Sequence, residues 1–134
     1  MSSEKAREKR IRELKERAAR TREGRPESPA WTYLIETDPD MFEAYQNIYE
    51  QGLLQGKALP VKYRELVAIA ILAYRGSREA AISHAIRAYK HYGLTKQELL
   101  DAAKTSLIPG GAPTFSICLD CVRAIEEEEK KKGR

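Results

Sequence analysis

The sequence predicts an all-α fold, and three observations carry that prediction. No run alternates apolar and polar residues with β-branched enrichment, so nothing reads as a strand. Long stretches instead collect strong helix formers with apolar residues at helical spacing. Proline and glycine fall between these stretches, where helices start and stop.

The first element runs from Ser3 to Glu23 and stops at Gly24. Its apolar stripe is thin, with Ile11, Leu14 and Ala18 set among charges, which predicts a helix held weakly on any core. Residues 1–25 carry ten Lys/Arg against five Asp/Glu, a charge of +5 in a chain whose net charge is +4. The basic character therefore belongs to this arm, and the rest is near neutral. A basic arm suits an acidic partner or nucleic acid. Interleaved acids and the absence of any aromatic to stack on bases speak against nucleic acid, and leave a solvated helix resting on a neighbouring subunit.

Arg25 to Thr37 holds two prolines and reads as a linker, residues 26–37, into a helical domain covering residues 38–134. Asp38-Pro39 has the form of an N-cap followed by proline at the first helical position. The helix behind it puts Met41, Tyr45, Ile48, Tyr49 and Leu53 on one face. VKYRELVAIAILAY, after Pro60, is apolar nearly all round once past Glu65, which predicts a central helix buried on most sides. Arg78 to Tyr92 forms the next helix, with Ile82, Ile86 and Tyr89 inward and Arg87 and Lys90 outward. Thr95 and Glu98 make a capping box that opens LTKQELLDAAKTSLI. Pro109-Gly110-Gly111 closes that helix, and a last one starts near Pro113.

Several classes are excluded early. No stretch approaches the ~20 apolar residues of a membrane span, and the N-terminus lacks the apolar core of a secretion signal, so a cytoplasmic protein is expected. In that compartment thiols stay reduced unless a catalytic cycle oxidises them. The two cysteines, Cys118 and Cys121, supply half of a structural zinc site, and His84 and His91 are seven apart, outside the usual ligand spacing. No metal or other cofactor is expected.

The order of features is specific: LPVKYRELVAIA, a short break, a His on the next helix, a Gly stop, TKQELLDA, a GGAP turn and one last helix. This order resembles the carboxymuconolactone decarboxylase family and the related alkylhydroperoxidase D-type proteins, over roughly Asp38 to Glu126. The resemblance implies a small all-helical homo-oligomer, a trimer or hexamer, with its site built on one antiparallel helix pair. In the peroxidase branch that site is a Glu on the first helix and Cys-x-x-Cys-x-x-x-His opening the second. Laid on this chain, the motif puts the Glu at Glu65 and the His at His84, while the cysteine positions are Ser77 and Ala80.

The helix pair supports Glu65 and His84 on separate grounds. Their midpoint falls at Tyr74–Arg75, beside the break, so antiparallel helices bring them face to face. A carboxylate opposite an imidazole is a general acid/base pair. The plainer reading makes Glu65 a first-turn charge and His84 a boundary histidine. The resemblance favours the pair.

CLDC stays open between two readings. Cysteines three apart share a helix side, and near a helix start the dipole lowers a thiol pKa, so Cys118 and Cys121 would form a redox pair. Alternatively both are core residues among Phe115, Ile117 and Val122. With the usual thiols absent, the resemblance points to a lactone or carboxylate lyase acting on a small organic substrate. Its pocket would hold Glu65, His84 and the turn residues Gly110, Gly111 and Pro113. A thiol peroxidase or disulfide reductase using Cys118 and Cys121 on a peroxide is the alternative, and a non-catalytic oligomeric binding protein is the third.

Overall fold

The computed structural model describes residues 2–133, and among them no strand occurs. The helices are α1 (Ser3–Arg20), α2 (Pro29–Thr37), α3 (Pro39–Tyr49), a π-helical turn (Glu50–Leu54), α4 (Val61–Tyr74), α5 (Arg78–His91) and α6 (Lys96–Lys132). They divide into two compact units, one ending at Gln55 and one beginning at Gly56.

The first unit corrects three expectations. The segment read as a linker contains α2, because Ser28 caps it through the Trp31 amide and Pro29 occupies the first turn. Pro29, one of the two prolines that suggested a break, is a helix-start signal. Nor is the basic arm only lightly held: Leu14 and Ala18 are buried in a cluster with Ile35 and Phe42. Its cations reach acids of the same unit, Arg10 to Asp40 and Glu43, Lys15 to Glu36, and Arg17 to Glu50. On α3 the inward residues are Phe42 and Gln46, while Met41 and Ile48 are exposed. Gln46 is tolerated inside because its amide donates to Thr21 Oγ1 at 2.9 Å. Trp31 stacks on Tyr45 with ring centroids 4.1 Å apart.

The second unit is a three-helix arrangement of α4, α5 and α6. Its core joins Ile69 and Ala73 of α4, Ala81, Ala85 and Ala88 of α5, and Leu99, Ala103, Ile117 and Ile125 of α6. The alanines of α5 let its neighbours approach closely, so α5 buries small residues and leaves Ile82 and Tyr89 only partly covered. Arg87, expected outward, is buried, and its guanidinium reaches the Tyr92 hydroxyl at 3.1 Å. Helix α4, expected to be enclosed on most sides, keeps one apolar face open within its unit: Tyr63, Val67, Ile71 and Tyr74 are exposed.

The capping box forms as expected, with Thr95 and Glu98 each bonding the other's amide at 3.0 Å. The PGG break is narrower than a loop. Helical structure continues on both sides, and one residue, Gly111, departs at φ 80°, ψ 178°. That conformation is open essentially to glycine alone. Gly110 is required for a different reason, since a Cβ there would lie 2.9 Å from the Thr114 side chain.

Candidate active site

Helices α4 and α5 run antiparallel through the short break at Arg75–Ser77, and this brings Glu65 against His84. His84 Nδ1 lies 2.8 Å from Glu65 Oε2. Glu65 is fully buried, whereas the His84 side chain is 25% exposed. A carboxylate can only accept, so the bond places hydrogen on Nδ1 and leaves Nε2 as the imidazole's other functional nitrogen. The second carboxylate oxygen, Oε1, is buried with no hydrogen-bond partner. An unsatisfied buried carboxylate oxygen is costly, and such costs persist where a group has work to do.

The remaining expected residues scatter around this pair. Gly110 lines a cleft of about 340 Å³ with Ala70, Ile71, Tyr74, Ser106, Pro109 and Thr114. Glu65, His84, Gly111 and Pro113 are not in its lining. Sequence reasoning missed Ala70, Ile71 and Tyr74 as cleft residues because they sit across α4 from Glu65. Ser77 precedes α5, and Ala80 is exposed in its first turn. His91 is exposed in the last turn of α5, where a cation suits the helix dipole.

Cys118 and Cys121 are both free thiols enclosed in the apolar core of the second unit. Burial pushes the Cys118 thiol up, with the Ser106 hydroxyl acting in the opposite direction. Cys121 is pushed up to about 12, mainly by burial and further by Cys118 and Asp120. Both environments hold the proton on sulfur.

Three arginines on α4 and α5, which carry the charge an anionic substrate would need, each have a local role. Arg78 pairs with Asp120 at 2.9 Å. Arg87 packs on Tyr92, and Arg64 lies close against Gly56. Among the described residues no three His, Cys, Asp or Glu side chains gather to hold one metal ion. Among the described residues no helix is long and apolar enough to cross a membrane.

The model of the carboxymuconolactone decarboxylase family matches residues 39–124. The chain belongs to that family. It is also 31% identical over 78 residues to the uncharacterized protein MJ0742 of Methanocaldococcus jannaschii, covering 58% of this chain and 74% of that one. A crystal structure from Burkholderia xenovorans LB400, described as a candidate carboxymuconolactone decarboxylase, superposes with a TM-score of 0.76 at 25% identity. The match spans 92% of this chain and 97% of that one. The family match begins at Pro39, the first residue of α3, and so includes the whole helix pair that carries Glu65 and His84.

Proposed function

We propose that this member of the family is a lyase that removes a carboxyl group from a small lactone, with Glu65 and His84 as its acid/base pair. The observation that carries the reading is the 2.8 Å bond between a fully buried carboxylate and a partly exposed imidazole. The exposed ring takes up a proton from solvent, and Glu65 stabilises the resulting imidazolium. When the carbon–carboxyl bond breaks, carbon dioxide leaves and the electron pair stays on the lactone's conjugated system as an enolate. His84 Nε2 then delivers its proton to that carbon, and solvent restores the imidazolium. Positioned proton transfer of this kind contributes about 10²- to 10⁴-fold.

The thiol reading has weaker support. A redox pair needs an accessible thiolate near neutral pH, and both cysteines lie in an apolar core that favours the thiol. Recruitment of an acidic partner by the basic arm is also less supported, since Arg10, Lys15 and Arg17 engage acids of their own unit. The enzyme is proposed to work as a homo-oligomer, trimer or hexamer, because exposed apolar faces on α3 and α4 call for cover.

The test is carbon dioxide release from a carboxylated lactone by the wild type, Glu65→Gln, His84→Ala and the double variant Cys118→Ser/Cys121→Ser. Turnover should fall at least about 100-fold in each of the first two variants and persist in the cysteine variant. Activity that survives His84→Ala and disappears with the cysteines would reverse the proposal.

A further inference from the structure

The first unit holds a cleft of its own, of about 300 Å³, where the end of α1 and the turn behind it meet α2. That volume lies at the lower end of the range for small-molecule sites, about 300–1,000 Å³. Its walls are mostly apolar, built from Ala19, Pro26, Ile35 and the backbone at Gly24. Three polar residues complete the lining: Lys15, Glu27 and Thr32. All of these residues precede Pro39, where the family match begins, so family membership assigns the cleft no role.

Glu27 is the unusual member. Its side chain is only 5% exposed, although it stands in the connection between α1 and α2. Arg22 Nε meets its Oε1 at 2.5 Å, and Arg22 does not itself line the cleft. The guanidinium is held in turn over the Tyr49 ring, 4.2 Å from its centroid, and by the Ala18 carbonyl at 3.2 Å. Burial raises the Glu27 carboxyl pKa, with Arg22 acting in the opposite direction. A buried ion pair is a poor source of stability. It does fix one carboxylate in an apolar wall, and fixed polar groups in apolar clefts are what give small-molecule sites their selectivity.

The polar groups define the ligand. A carboxylate only accepts hydrogen bonds, and Arg22 takes one oxygen of Glu27, which leaves Oε2 for a ligand. Lys15 only donates, and one of its hydrogens goes to Glu36 Oε1 at 2.6 Å. A ligand group that satisfies both must donate and accept, as a hydroxyl does. Each charge lining the cleft already has a counter-ion, Arg22 for Glu27 and Glu36 for Lys15, so a charged ligand gains no net attraction. Such a ligand would also lose hydration among Ala19, Pro26 and Ile35, at a high cost.

We infer that this cleft binds a small neutral alcohol. The hydroxyl donates to Glu27 Oε2 and accepts from Lys15 Nζ, and the apolar body lies on Ala19, Pro26 and Ile35. The site shares no residue with the Glu65–His84 pair, so it stands or falls independently of the proposed lyase chemistry.

The experiment is isoleucine methyl NMR on the full chain, with Ile35 as reporter and the isoleucines of the second unit as controls. Cyclohexanol is the probe; cyclohexylamine, cyclohexanecarboxylate and leucine offer similar bulk as a cation, an anion and a zwitterion. Cyclohexanol should shift Ile35 saturably with a Kd of about 1 mM, as suits so small a ligand, and leave the controls unmoved. The charged probes should bind at least about 10-fold more weakly. Glu27→Gln should weaken cyclohexanol about 10-fold, since a charged acceptor bonds more strongly than a neutral one, and Ala19→Phe should abolish binding by filling the cleft. The ranking of the four probes needs no variant and decides the matter if both variants fail to fold. No saturable shift of Ile35, a charged probe that binds as tightly as cyclohexanol, or unchanged affinity in either folded variant would each overturn the inference.

Discussion

Replacing His84 with alanine should destabilise the protein as well as silence it. Glu65 is fully buried, its Oε1 already lacks a partner, and the change removes the 2.8 Å bond at Oε2. Breaking a buried ion pair from one side typically costs about 3–5 kcal/mol, because an uncompensated charge is left behind. His84 keeps a quarter of its surface in solvent, which places the expected loss near the lower end, about 3 kcal/mol. For a domain of this length that is roughly a 10 °C fall in melting temperature. The assay is thermal and urea unfolding followed by circular dichroism on wild type, His84→Ala and His84→Ala/Glu65→Leu. The double variant should recover most of the loss, since an apolar side chain of similar size removes the stranded charge. A single variant within about 1 kcal/mol of wild type, or a double variant no better than the single, would refute the coupling.

Three further outcomes are expected. Gly111→Ala forces a side chain into the φ 80°, ψ 178° conformation and should cost on the order of 1–3 kcal/mol in denaturant unfolding. Leu14→Ala, at a buried position of the arm, should cost about 2–5 kcal/mol in the first unit, read by the fluorescence of Trp31 in the same cluster. For Cys121, the folded thiol holds its proton up to about 12 against an ordinary 9.0. Folding therefore binds the extra proton between those values. The contribution is complete below pH 9.0 and is lost as pH rises toward 12, by up to about 1.4 kcal/mol per pH unit. Cys121→Ala should flatten that alkaline decline, and native Cys118 and Cys121 should react slowly with a thiol reagent.

The second unit was largely legible because local chemistry and global fold agree there. Thr95 and Glu98 announce a helix start, and equal distances from Tyr74–Arg75, beside the break, face Glu65 to His84. The first unit was harder to read. On α3 two adjacent stripes compete, and the inward one contains Gln46, a polar residue whose burial depends on Thr21 from a distant turn. Arg87 was misplaced for the same reason, since its partner ring on Tyr92 becomes visible only once α5 ends. On α4 composition revealed how apolar the helix is, but not that α5 and α6 cover only one side of it. CLDC could not be resolved from spacing alone, because three-residue spacing on a helix suits a redox pair and a core face equally.

The central claim is that His84, supported by Glu65, delivers a proton to carbon as carbon dioxide departs. Its most direct test is turnover of a carboxylated lactone in deuterium oxide, with the product examined by NMR. The account predicts one deuterium on the carbon that lost the carboxyl group, with incorporation and carbon dioxide release both abolished in His84→Ala. Decarboxylation that proceeds in His84→Ala at the wild-type rate, with the same deuterium content, would contradict it.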